Sequence, residues 1–241
     1  MPHPPAPLTG GRRSAVAPPA GVFAHAGETD NHAATRHKSV LLVRHGATSA
    51  TRQQCFAGAT DSALSRDGRR QAQALGEVID GFGPHVCLCS PLRRCQQTAS
   101  LVLPARALAV VAVPDLRELD FGAWEGCTYA EIARSDPQGL ARMMRFDPDY
   151  APGGGELLGG FLARVHSAAR LITSHPADKV LVVTHGGVIR ALLCILLDLD
   201  LHKQFHAFEI APAAVAELMT YDGGAVLRRL LPCPQGKEQT P

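Results

Sequence analysis

Residues 39–46 read SVLLVRHG, and residues 179–187 read KVLVVTHGG. In each, a short run dominated by Val and Leu stops at a polar residue, a histidine and a glycine. Runs of that length, rich in β-branched side chains and too short for a globular helix, read as strands buried on both faces. HVCLC (85–89), LAVVAV (108–113), AVAELMTY (214–221) and AVLRRL (225–230) are further strand candidates. Between the first two runs, Ala72, Leu75, Ile79 and Phe82 recur at spacings of three and four, which predicts one helical face. Leu158, Phe161, Val165, Ala168 and Ile172 predict a second, and Thr128 with Glu131 three residues on is a capping box opening a third helix. Strand and helix in alternation demand crossover connections. The chain is therefore predicted to be an α/β three-layer sandwich, with a mostly parallel central sheet flanked by helices.

The composition suits such a domain. The 241 residues are 46% hydrophobic, 19% charged and 5% aromatic, which excludes collagen, coiled coil and disorder over most of the length. Four of the 24 basic and two of the 22 acidic residues fall in the first 38 positions, so residues 39–241 carry 20 of each and are neutral. Neutrality argues against charge-driven binding to nucleic acid or to a membrane surface, and no basic stripe is interleaved with aromatics. The longest apolar run, Ala191 to Leu197, is far short of the roughly 18 residues of a membrane span. Seven cysteines at 55, 87, 89, 95, 127, 194 and 233 form no paired CxxC framework and call for no metal or other cofactor. They read as reduced, mostly packed thiols of a cytoplasmic protein.

Residues 1–38 hold six of the 18 prolines, four glycines and eight alanines without a periodic apolar face, and read as a disordered extension. Residues 39–231 read as one domain, and 232–241 as a flexible tail. Arg12-Arg13 is followed by no leucine-rich segment of a secretory signal, and His3, His25, His32 and His37 are too irregularly spaced to capture a metal.

The polar residues fall where such a sheet binds its ligands. The first strand runs into Arg44-His45-Gly46, the second into SPLRR (90–94), and the fourth into Thr184-His185-Gly186-Gly187. Ligands of open α/β sheets sit beyond the carboxyl ends of the strands, so three segments rich in Arg and His converge on one crevice. Guanidinium forks beside imidazoles suit a compact anion, and phosphate best. With an unperturbed pKa of about 6.5, an imidazole serves as an uncharged nucleophile or as a charged ligand. His45, beside a glycine that lets backbone N–H groups close in, is the nucleophile candidate. His185, at the mouth of the helix that Gly186 and Gly187 open, is placed to stabilise equatorial phosphoryl oxygens. The leaving oxygen needs an acid. A carboxyl buried beside apolar residues can hold its proton near neutrality, and Glu118 in LRELDFGAWEG fits that description. Asp120 and Glu125 are rivals between which the residues alone do not choose. Arg93 reads as a solvated charge, and His85, His166, His175, His202 and His206 receive no site role.

Taken together, LLVRHGATSA (41–50), SPLRRCQQTA (90–99), LRELDFGAWEG (116–126), PGGGE (152–156) and VVTHGGVIRAL (182–192) resemble the histidine phosphatase family, which includes phosphoglycerate mutases. The resemblance spans residues 39 to about 231. It implies a metal-free phosphohistidine mechanism with His45 as phosphate acceptor, Glu118 as proton donor, and Arg44, Arg94 and His185 as the phosphate pocket. It extends the phosphate contacts to Thr51 and Gly58. The chain departs from the family pattern with Ala47 and Thr51 where Glu and Asn are usual (Thr48 keeps the usual Thr), with Leu157 after Glu156, and with Cys95 after the second arginine.

His45 and His185 stand 140 positions apart, a compact spacing similar to the phosphatase branch rather than to the mutases, which cover the site with additional chain. ELDFGAWEG and FEIAPAAVAELMTYDGG (208–224) are similar to the alpha-ribazole phosphatase branch, whose substrate is a nucleotide-like phosphomonoester of cobalamin synthesis. The expected partner is thus a small phosphomonoester, with a homodimer left open. A phosphoglycerate mutase and a non-catalytic module that senses a phosphate ligand are the alternatives.

Overall fold

The structure, a computed structural model, describes residues 37–103 and 108–233. The predicted extension lies outside the described residues except for His37 and Lys38, and the predicted tail except for Pro232 and Cys233. Among the described residues six strands, β1 (Lys38–Arg44), β2 (Val86–Cys89), β3 (Val110–Ala112), β4 (Lys179–Thr184), β5 (Val215–Tyr221) and β6 (Gly224–Leu231), form one sheet in the order β3-β2-β4-β1-β5-β6. The first four run parallel, and β5 and β6 add antiparallel at one edge.

Alternate strand residues divide the core into two layers, as the two-residue side-chain period requires. Val40, Leu42, Val86, Leu88, Val180 and Val182 face helices α7 (Leu158–Ser174) and α8 (Gly186–Leu196). Leu41, Val43, Cys87, Cys89, Leu181 and Val183 face α3 (Gly76–Phe82) and α4 (Arg93–Val102). The layered α/β architecture expected from the sequence is present, with both sheet faces covered. The remaining helices are α1 (Ser49–Gln53), α2 (Arg66–Ala74), α5 (Tyr129–Ser135), α6 (Pro137–Met144) and α9 (Leu201–Gln204). No helix among the described residues is long and apolar enough to cross a membrane.

Two expectations are corrected. The helical face from Ala72 to Phe82 belongs to two helices, because the chain tightens at Leu75, whose N–H donates to Ala72 three residues back, just before Gly76. Leu75 and Ile79 stay buried all the same. The run 108–113 contributes only a three-residue edge strand: β2 is four residues long and pairs with Val110, Val111 and Ala112 alone. Val110 and Val111 are therefore exposed rather than buried on both faces. The capping box at Thr128 and Glu131 closes reciprocally at the start of α5, as predicted. Cys55, Cys87, Cys89, Cys95, Cys127 and Cys194 are free thiols, and burial pushes the Cys87 thiol up to about 12.

Candidate active site

The β1–β4 register sets Arg44 opposite Thr184, so the next residues, His45 and His185, leave the sheet side by side. The His45 N–H continues the ladder to the Thr184 carbonyl at 2.9 Å, and the Ser90 N–H at the end of β2 reaches Val183 at 2.9 Å. The two imidazole centroids lie 5.1 Å apart, edge to face. Arg94, in the first turn of α4, is 1% exposed and closes the group from the neighbouring strand end. Its Nε–H faces both His45 Nε2 and His185 Nδ1 at 3.2 Å, while Nη1 and Nη2 donate to the carbonyls of Thr60 (2.6 Å) and Gly58 (2.7 Å).

These contacts assign the tautomers. Because His45 Nε2 accepts from Arg94, its proton sits on Nδ1 and is donated to the Gly46 carbonyl at 2.7 Å. His185 accepts at Nδ1, so its Nε2–H donates to the Ser90 hydroxyl at 2.8 Å. Burial, reinforced by the Arg44 and Arg94 charges, pushes the His45 imidazole well below its ordinary pKa and keeps it neutral at physiological pH. His185 is lowered in the same direction by burial, then by His45 and Arg94. Arg44 is held by one bond, Nη1 to the Ile210 carbonyl at 2.5 Å, while its buried Nε has no hydrogen-bond partner. A buried donor left open costs free energy unless something accepts from it, which marks the position for an anion.

Arg44, His45, Arg94 and Glu118 lie at one end of a cavity of about 380 Å³. The rest of its wall is mostly apolar, with Phe56, Phe121, Met143, Met144, Phe146, Phe161 and Phe205. Thr51 also lines it, its hydroxyl engaged with Thr48 in the reciprocal cap of α1. His185 and Gly58 do not line the cavity. His185 is fully buried behind Arg94, and the N–H of Gly58 is taken by Glu125 while its carbonyl holds Arg94. Cys95 packs beneath His185, with Sγ 3.4 Å from Nε2, and burial pushes its thiol up so that it stays neutral.

Glu118 is partly buried rather than enclosed by apolar residues, and its carboxylate accepts from the N–H of Gly187 (2.9 Å) and of Leu119 (3.1 Å). Its rivals are committed elsewhere. Asp120 accepts from the Gly122 N–H at 2.8 Å. Glu125 gathers the N–H groups of Gly58, Ala59 and Thr60, and although burial opposes it, the Thr60 and Ala59 bonds hold its carboxyl below the ordinary range. Glu125 thereby fixes the loop whose carbonyls orient Arg94. A Cβ on Gly187 would stand 2.5 Å from Glu118 Oε1, the movable end of that side chain. If Glu118 is the proton donor that the sequence suggests, Gly187→Ala should displace its carboxyl and lower kcat/KM for alkyl phosphates about 10²-fold, the cost of a misplaced reacting group. Melting curves beside the kinetics check it, and unchanged kinetics would show that this carboxyl position is unimportant.

Sequence reasoning missed several residues of the site. Arg190, one turn into α8, and His206 both line the cavity, although His206 was given no role. Ser90 was legible as the residue ending β2. The apolar wall was not, because its residues come from α6, α7 and loops far apart in the sequence, at Phe56, Phe121, Phe146 and Phe205.

A profile of the histidine phosphatase superfamily (branch 1) matches residues 40–231. The bifunctional protein Rv2228c of Mycobacterium tuberculosis is 36% identical over 192 residues, covering 78% of this chain and 52% of the relative, so the chain spans about half of that protein's length. The adenosylcobalamin/alpha-ribazole phosphatase of Escherichia coli is 32% identical over 166 residues, 68% of this chain and 82% of the relative. Among solved structures, mycobacterial glucosyl-3-phosphoglycerate phosphatase complexed with VO3 superposes with a TM-score of 0.68 at 31% identity, covering 82% of this chain and all of that one. On the strength of the profile match, the motifs at the three strand ends and the shared fold, the chain belongs to the histidine phosphatase superfamily, branch 1.

Proposed function

We propose that the chain hydrolyses phosphomonoesters through a phosphohistidine at Nε2 of His45. The observation that carries the reading is a neutral His45 whose Nε2 faces Arg94 at the cationic end of a cavity that also holds Glu118. In the first step the Nε2 lone pair attacks phosphorus, the Nε2–P bond forms, and the ester P–O bond breaks as the departing oxygen takes a proton from Glu118. Nδ1–H stays on the Gly46 carbonyl, so the ring takes up the phosphoryl group without losing that proton. In the second step Glu118 removes a proton from water, the water oxygen bonds to phosphorus and the Nε2–P bond breaks, releasing phosphate. Arg44 and Arg94 neutralise the phosphoryl oxygens throughout, with Arg44 Nε as the open donor. His185, held by Ser90 and Arg94, supports the group from behind and meets an equatorial oxygen once Arg94 turns to phosphate.

The aromatic and methionine wall supports a leaving group that carries an apolar ring, as in alpha-ribazole 5′-phosphate. An acid-bearing ester of the glucosyl-3-phosphoglycerate kind is a second reading, favoured by Arg190 and His206 on the same wall. A panel of phosphomonoesters ranked by kcat/KM tests both. Turnover should persist in EDTA, with alpha-ribazole 5′-phosphate above glycerol 3-phosphate and 3-phosphoglycerate. The second reading requires 3-phosphoglycerate to lead. Phosphate binding without hydrolysis of any member points to the sensing module, and isomerisation of 3-phosphoglycerate primed by a bisphosphate points to a mutase.

A further inference from the structure

The motif PGGGE (152–156) takes no direct part in the reaction proposed above, yet its glutamate is tied to the proton donor. Glu156 receives the Arg164 guanidinium in a two-pronged ion pair, Nε to Oε1 at 2.6 Å and Nη2 to Oε2 at 2.8 Å. The Arg164 side chain is 13% exposed and lies along the Phe161 ring, so its fork is fixed in direction. The remaining N–H groups grip the loop that carries Glu118. Nη2 donates to the Glu118 carbonyl at 3.0 Å, and Nη1 to the carbonyls of Asp115 (3.0 Å) and Arg117. Glu156 holds the same loop one step on, its own N–H donating to the Asp120 carbonyl at 3.0 Å. The glycine before it permits this approach, since a Cβ on Gly155 would stand 2.2 Å from that carbonyl oxygen.

Packing fixes only part of this loop: Leu116 and Leu119 are buried in the core, whereas Glu118 between them is only half-buried. A second cavity of about 310 Å³ is lined by Arg117, Glu118, Asp120, Glu156 and Arg164 among others. Glu118 borders both spaces. Glu118 itself borders open volume, and the charge-assisted fork on the carbonyls of Asp115, Arg117 and Glu118 is the strongest hydrogen-bond set that holds it. Opposite that fork, Thr184 Oγ1 donates to the Leu116 carbonyl at 2.7 Å and anchors the loop to the end of β4.

We infer that Arg164, oriented by Glu156, is a positioning residue for proton transfer by Glu118 to the departing oxygen. The inference rests on the phosphohistidine reading above. It predicts a loss that depends on how much the leaving group needs a proton. An alkoxide must be protonated as the P–O bond breaks, whereas p-nitrophenolate leaves largely without help.

The test compares kcat/KM, which reports formation of the phosphoenzyme, for p-nitrophenyl phosphate and for an alkyl phosphate in the full-length protein. Arg164→Met should lower the alkyl value by about ten- to a hundredfold, part of the 10²–10⁴ a positioned acid contributes, and the aryl value only a few-fold. Arg164→Lys should recover part of the alkyl rate, and Glu156→Gln should reproduce the pattern more weakly, which keeps the test open should Arg164→Met fold poorly. Adding Arg164→Met to a Glu118→Gln protein should cost nothing further. Equal losses on both esters, or a full additional loss in the Glu118→Gln background, overturn the inference and leave Arg164 a structural residue. If Glu118→Gln itself lowers both esters equally, the proton-donor reading fails, and the inference fails with it.

Discussion

His45→Ala is expected to abolish turnover, with kcat falling by about four orders of magnitude or more, as when any covalent nucleophile is deleted. Rapid quench of the unaltered protein with labelled substrate should trap an acid-labile, alkali-stable phosphoryl adduct that the variant lacks. Arg44 and Arg94 remain in the variant, so inorganic phosphate should still raise its melting temperature, and that shift separates loss of chemistry from loss of fold. Turnover that survives the substitution would falsify the whole mechanism.

The same imidazole sets the acid side of the pH profile. Burial and two guanidinium charges lower its pKa well below the ordinary 6.5, so the acid limb of kcat/KM for p-nitrophenyl phosphate should lie below pH 6.5. Stability follows the same sign. As the pH falls below 6.5, the unfolded chain takes up protons that buried His45 and His185 refuse. Stability is therefore held above that pH and lost progressively down to the folded pKa values. A melting temperature that is flat between pH 7 and 5 would contradict the burial of both rings.

Arg94→Met should be nearly as damaging. Arg94 is the group through which His45, His185 and the carbonyls of Gly58 and Thr60 are joined, and losing one preorganised donor to a transferring group costs about 10²–10³ in rate. The substitution strands two carbonyls and both imidazole lone pairs, so phosphate should no longer raise the melting temperature. A variant that retains the full phosphate-dependent shift would place the anion elsewhere. Arg93, next in sequence, is exposed and hands only its backbone N–H to Asp61, so Arg93→Met is the matched control.

The contrast between these neighbours shows what was readable in advance. Two adjacent arginines follow β2, and the sequence already reads Arg93 as a solvated charge and, through the family resemblance, Arg94 as part of the phosphate pocket. The choice of Arg94 over Arg93 in the structure follows from helix geometry, since the first turn of α4 aims one inward and the other out. The choice among Glu118, Asp120 and Glu125 is longer in range. What favours the proposed donor Glu118 is its bond from the Gly187 N–H, 69 positions away, together with the loop at 58–60 that occupies Glu125.

Local pattern was enough to place the strands and the histidines that terminate them, because a strand's two-residue period and an apolar run ending in RHG or THGG are properties of consecutive residues. It was also enough to expect an α/β sandwich, since crossover connections leave parallel strands few other arrangements. The break of one predicted helix at Leu75, the withdrawal of His185 behind Arg94, the arrival of Arg190 and His206 on the cavity wall, and the Arg164–Glu156 grip on the Glu118 loop were decided only by tertiary structure. Each depends on where a side chain or carbonyl far along the chain comes to rest, and hydrogen bonds of that span leave no periodic trace in the residues that make them.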